Sequence, residues 1–102
     1  MSNLFDHAEA QRRKEVGKAL AADRRHELLG AARGFAAFIA KERGAVTADD
    51  VAELMAANGL DYTDLGNAAG SVFDVRFQWT GRVFPSRRPS THGRLIREWS
   101  LA

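Results

Sequence analysis

The stretch VRFQWTGRVFPSRRPSTHGRLIREWSL, residues 75–101, decides the fold. Val75, Phe77 and Trp79 alternate with Arg76, Gln78 and Thr80, and near the end Leu95, Arg97, Trp99 and Leu101 alternate with Ile96, Glu98 and Ser100. A period of two sends successive side chains to opposite faces of an extended chain, so the spacing predicts two antiparallel strands. Between them, Gly81 to Gly93 holds Pro85, Ser86, Pro89, Ser90 and Thr91, a turn-rich connection that is long for a hairpin loop. The expected element is a hairpin whose long loop carries Arg87 and Arg88 at its tip.

Upstream of that stretch the pattern is helical. Leu28, Ala32, Phe35, Ala36 and Ile39 fall at i, i+4, i+7, i+8 and i+11, with Phe38 beside them, and Gly44 follows Lys41-Glu42-Arg43 as a stop signal. This is the expected core helix. Residues 4–22, rich in Ala, Glu, Lys, Arg and Gln, read as a further, weakly amphipathic helix, marked only by Phe5, Ala8, Val16, Ala19 and Leu20. The division is therefore an N-terminal helix or arm over residues 1–23 and a domain over 24–102. Gly30 and Gly34 each cost about 1 kcal/mol relative to Ala inside a helix, which close packing of another backbone would explain.

After a short extended step at Ala45 and Val46, the Thr47 hydroxyl can cap a helix with Asp49 and Asp50 in its first turn, where carboxylates complement the dipole. Val51, Leu54 and Met55 form its inward stripe, and Asn58-Gly59 ends it. Asp61 or Thr63 can then cap a third helix with Leu65, Ala68, Ala69, Val72 and Phe73 inward. Asp64, Asn67, Ser71 and Asp74 share its opposite face.

Helix, short strand, helix, helix and a two-stranded wing is the order of a winged helix-turn-helix domain, an α+β fold with a three-helix core and a short β-hairpin wing, here with an extra N-terminal helix. Several stretches also resemble a group of small uncharacterised bacteriophage and prophage proteins. They are Gly44-Ala45-Val46-Thr47-Ala48-Asp49-Asp50-Val51, the run Leu65 to Phe73, Trp79-Thr80-Gly81-Arg82, Ser86-Arg87-Arg88-Pro89, His92-Gly93-Arg94 and Trp99. The resemblance covers about residues 44–101. It implies a phage-type winged-helix protein of a replication or early region, and it brings no catalytic residue with it.

Charge placement narrows the function classes further. Residues 44–74 carry six acids (Asp49, Asp50, Glu53, Asp61, Asp64, Asp74) and no Lys or Arg, whereas residues 75–97 carry six arginines (Arg76, Arg82, Arg87, Arg88, Arg94, Arg97) and no acid. Any polyanion is therefore attracted by the C-terminal third or the basic N-terminal helix, a stronger guide than the net charge of +2. At 102 residues the chain is one domain, too small to enclose a deep cofactor cavity. It has no cysteine, so thiolate chemistry and disulfides are excluded and a reducing cytoplasm suits it. Its longest nearly apolar run, Gly34 to Ala40, is far short of a membrane span. No cofactor is expected.

Nucleic-acid contacts are expected from Arg76, Arg82, Arg87, Arg88, His92 and Arg94 of the hairpin, entering a minor groove or gripping phosphates. Asn67 and Ser71 of the third helix could read bases, but Asp64 and Asp74 flank them and would repel phosphates. The alternative roles are plain ones: arginines that keep a hairpin edge unpaired, an Asn that satisfies a backbone group, a histidine that bonds locally, and Trp79 and Trp99 as core cover. No two histidines stand at metal-ligand spacing, and Ser86, Ser90 or Thr91 beside His92 lack an orienting group and an oxyanion donor, so no enzyme is expected. Two functions follow. One is a host-cytoplasmic regulator or replication accessory factor that binds duplex DNA, with a homodimer as a possible form. The other is a module that binds and inhibits or recruits a host protein without touching DNA. Membrane binding is not expected.

Overall fold

The computed structural model describes the backbone of residues 4–102 and the side chains from residue 23 onward. The first element is a single helix, α1, Leu4–Arg43. The N-terminal and core helices expected separately are thus one helix, with no break at residues 23 and 24. At 1.5 Å per residue it is about 60 Å long. Lys41 and Arg43 occupy its last turn, where cations suit the helix dipole, and Gly44 follows at φ +86 with its N–H bonded to the Ala40 carbonyl at 2.8 Å. How the arm's side chains dock lies outside the described residues.

Helix α2, Ala48–Ala57, begins where Thr47 and Asp50 cap each other reciprocally, the Asp50 amide donating to the Thr47 hydroxyl and the Thr47 amide to the Asp50 carboxylate. Asn58 ends it, with Gly59 at φ +74. The third helical element, Tyr62–Ser71, is a 3-10 helix capped by Asp61, which accepts from the Thr63 amide at 2.9 Å. It is interrupted at Gly66, whose φ of +54 and ψ of −131 are not helical. A regular recognition helix with one polar face is therefore not formed.

The hairpin pairs β1, Phe77–Pro85, with β2, Leu95–Leu101, as an antiparallel two-stranded sheet. Val46 adds an isolated bridge to Trp99 on the other edge of β2, so the linker between α1 and α2 is tied to the sheet. The strands are longer at the tip than the alternation implies: β1 runs on past Gly81 to Pro85, and Val75, expected to open the strand, sits 95% exposed in the turn before it. The chain is α+β, with three helices, a single 3-10 turn at Pro89–Thr91 and an antiparallel hairpin, an arrangement compatible with a winged helix.

The core draws on every element. Ala32, Ala36, Ile39 and Ala40 of α1 meet Val46, Val51 and Met55, Leu65 of the 3-10 segment and Val72 just after it, and Phe77 of β1. Small side chains on α1 let the neighbouring elements approach it, and Val51, Met55, Leu65 and Val72 are fully buried, each contributing roughly 1.5–3 kcal/mol. Phe73 links helix to hairpin, stacked on Trp99 at 5.3 Å and edge-on to Phe77 at 5.4 Å. Phe38, expected beside the inward stripe of α1, is 57% exposed.

Gly30 and Gly34 of α1 do not mark close packing. Gly30 and Gly34 are exposed, and a Cβ at either would meet nothing within 4 Å. Gly30→Ala and Gly34→Ala should therefore each stabilise the fold, by up to about 1 kcal/mol. Gly66→Ala should destabilise it by roughly 1–3 kcal/mol, since its backbone falls where side chains are strained. Urea denaturation of the three variants checks both signs.

Candidate nucleic-acid interface

The hairpin does not cross its register evenly. Trp79 pairs with Trp99 and Val83 with Arg97, so Thr80, Gly81 and Arg82 face a single residue of β2 and form a bulge. Gly81 takes φ +90, the Trp79 indole N–H donates to the Arg82 carbonyl at 3.0 Å, and the Thr80 hydroxyl donates to the Glu98 carboxylate at 3.0 Å. The bulge thus fixes the Trp79 ring and places Arg82 in a strand, not in the loop as expected. The connecting loop, residues 86–94, is shorter than Gly81 to Gly93 but still long for a hairpin, and is closed by the Ser86 amide donating to the Arg94 carbonyl at 2.8 Å.

That loop is clamped. Asp49, in the first turn of α2, is 5% exposed and accepts from three groups of the loop: the Ser86 hydroxyl at 2.6 Å, the Arg87 amide at 2.6 Å and Arg88 Nε at 2.7 Å. Burial pushes its carboxyl pKa up, but the bonds from the Arg87 amide, Ser86 and Arg88 outweigh burial and hold it below the ordinary 3.8. The Arg88 guanidinium lies over the Tyr62 ring at 4.9 Å. Arg87 turns the same way, toward Asp50 and Glu53 at 3.5 Å and Asp49 at 3.7 Å, though its side chain is 68% exposed and such exposed pairs hold weakly.

Arg87 and Arg88, expected to project from the wing tip, instead fold back onto α2. The acidic and basic thirds of the chain neutralise one another at this seam. Sorting the charges by block treats them as a field and misses Asp49 as a partner. The signal is present in the chain, since acids at the N-terminus of a short helix are matched by two adjacent arginines in a loop.

The remaining expected residues divide. Arg76 sits at the foot of the hairpin, bonded to Asp74 at 3.1 Å. Asp74 is further engaged by Arg33 at 3.6 Å, so it is not the uncompensated carboxylate expected. Hydrogen bonds from the Arg76 backbone and side chain, with Arg33 nearby, hold its pKa below the ordinary value. Asn67 and Ser71 are exposed on the 3-10 segment, and the Ser71 carbonyl accepts from Arg33 at 2.9 Å. His92 is exposed in a left-handed turn at φ 52, its amide bonded to the Pro89 carbonyl at 3.2 Å. Trp99 covers the core as expected of it, while Trp79 is 47% exposed.

Arg82, Arg94 and Arg97 are exposed, and no carboxylate among the described residues lies within ion-pair distance of them. The Arg97 guanidinium lies over the Trp79 ring at 4.7 Å. Arg97 does not stand out as a site residue in the sequence, although a cation in the alternating row of Leu95, Trp99 and Leu101 is out of place for a core-facing strand. Among the described residues no group of three or more His, Cys, Asp or Glu side chains is placed to hold a metal ion. No described helix is long and apolar enough to cross a membrane. No family model, curated protein or solved structure matches the chain.

The Asp49 clamp has a pH signature. A carboxyl with a lowered pKa in the folded state stabilises above its unfolded value and loses that contribution as pH falls through the folded one. Stability should therefore drop as pH falls below about 3.8, the ordinary value. Asp49→Asn should flatten the acid limb of the Tm-versus-pH curve relative to the unsubstituted chain. At neutral pH, Asp49→Ala should cost roughly 2–3 kcal/mol, somewhat less than a fully buried pair, since Arg88 retains some access to water.

Proposed function

We propose that this chain is a non-catalytic DNA-binding module of the winged-helix kind, phage-type in character and acting as a cytoplasmic regulator or replication accessory factor. DNA meets the side of the hairpin, not its tip. The observation that carries this is the unequal pairing of the hairpin arginines. Arg87 and Arg88 are bound to the carboxylates of α2, whereas Arg82, Arg94 and Arg97 are exposed without a carboxylate partner among the described residues. Unpaired guanidiniums reach phosphates without first breaking an internal ion pair. The bulge at residues 80–82 and closure of the loop hold these arginines on a rigid frame, which limits the entropy lost on binding. Asn67 and Ser71 lie on a broken helix, so base reading from that element is minor and sequence specificity is modest.

A second reading is favoured by a different observation. Val83 and Leu95, on one face of the same hairpin, are 46% and 62% exposed, apolar side chains suited to a host protein partner. The two readings differ in salt dependence, because apolar contact lacks counterion release.

Fluorescence anisotropy of a labelled duplex across a salt series separates them. Affinity should fall steeply with salt. In the Arg82→Ala, Arg94→Ala double variant the slope of log K against log salt should shrink by about 0.9 for each phosphate that is no longer neutralised. Arg87→Ala should change the slope little. Absence of binding at 50 mM salt, or an unchanged slope in the double variant, would overturn the DNA reading and favour the protein partner.

A further inference from the structure

Between the 3-10 segment and β2 lies an open hollow of about 460 Å³, within the ~300–1,000 Å³ range of small-ligand sites. Tyr62, Phe73 and Trp99 give it aromatic walls, and Arg88, Arg94 and Arg97 stand around it. None of its lining residues is Asp or Glu. The neighbouring hollows against α2 differ in this respect, for each includes carboxylates: Asp49 and Glu53 in one, Asp49, Asp50 and Glu98 in another. An aromatic cleft bordered by guanidiniums and free of acids is selective for a flat ring that carries a phosphate.

We propose that this hollow holds one unpaired nucleobase of a DNA strand, with the adjoining phosphate on Arg94. The proposal rests on the hairpin being a DNA-contacting surface and names the form of DNA it prefers. Phe73 and Trp99 are already stacked with their planes 9° apart, so a base entering the hollow meets aromatic groups fixed by the core. A base inside a duplex is paired at its edge and stacked on both faces. It cannot enter a cleft with a helical segment on one side and a strand on the other. The hollow therefore selects single-stranded or locally opened DNA. Arg88 borders it but is held by Asp49 at 2.7 Å, and Arg97 lies over the Trp79 ring at 4.7 Å, which leaves exposed Arg94 as the cation for the phosphate. Gly70 also lines the hollow, and a Cβ there would meet nothing within 4 Å. Its lack of a side chain leaves the entrance open.

The test compares a labelled 12-nucleotide single strand with the duplex of the same sequence, and uses dAMP as competitor. The single strand should bind at least tenfold more tightly than the duplex. Gly70→Leu, which places a side chain on the lining of the hollow, should abolish that preference while changing duplex affinity less than twofold and leaving the Tm in place. In Trp79→Phe, where Trp99 is the remaining tryptophan, the single strand should quench the fluorescence and the duplex should not. That measurement decides the matter even if Gly70→Leu fails to fold. Equal binding of strand and duplex, with no quenching, overturns the nucleobase site and leaves the hairpin reading standing. Absence of binding to either DNA overturns both. Competition by dAMP at the same concentration as the strand overturns the assignment to a strand in favour of a free nucleotide.

Discussion

The arrangement of this molecule turns on one buried carboxylate. Asp49 accepts three hydrogen bonds from the loop between the two strands, and through them the hairpin is fixed against α2. A two-stranded hairpin alone is marginal in water, and this one has a core contact only at its base, through Phe77, Trp99 and Leu101. Its far end is held by polar contacts instead. A buried carboxylate is costly unless every lone pair is used, and here the hydroxyl, the amide and the guanidinium all come from adjacent residues. The position of the loop and the charge of the surface around it are therefore set together.

The general plan could be read from the chain because it rests on local chemistry. Thr47 with Asp50, Asn58-Gly59 and the alternation around Phe77 and Trp99 are short-range signals, and each is realised where the spacing placed it. Two features could not be read that way. One is the continuity of α1, since nothing in residues 22–24 forbids or demands a break. The other is the winding of Tyr62–Ser71, where Ala68 and Ala69 suit an α-helix but Gly66 leaves the helical region and the segment tightens around Leu65 and Val72.

The site was legible only in outline. Sorting of charge along the chain pointed to the hairpin, but a sequence does not say whether opposite blocks face solvent or each other. Arg87 and Arg88 in the loop turned out to be those closest in space to acids, and Arg82 and Arg97 on the strands, with Arg94 at the end of the loop, were left unpaired. The difference depends on contacts spanning nearly forty residues, such as Asp49 with Ser86, 37 apart. The hollow beside Trp99 is more remote still from sequence patterns, since its walls come from separate elements.

The bulge in β1 has an implication for how these molecules behave toward one another. The sheet has two strands, and Val46 occupies part of the far side of β2, so β1 carries the unprotected edge. On a straight strand of nine residues with Trp79, Val83 and Phe84 exposed, that edge would recruit further chains into an extended sheet. The bulge at residues 80–82 splits it into two short runs out of register with each other, and Pro85 offers no N–H at the end of the second. The geometry of three residues thus works against strand-to-strand pairing at an edge that displays apolar side chains.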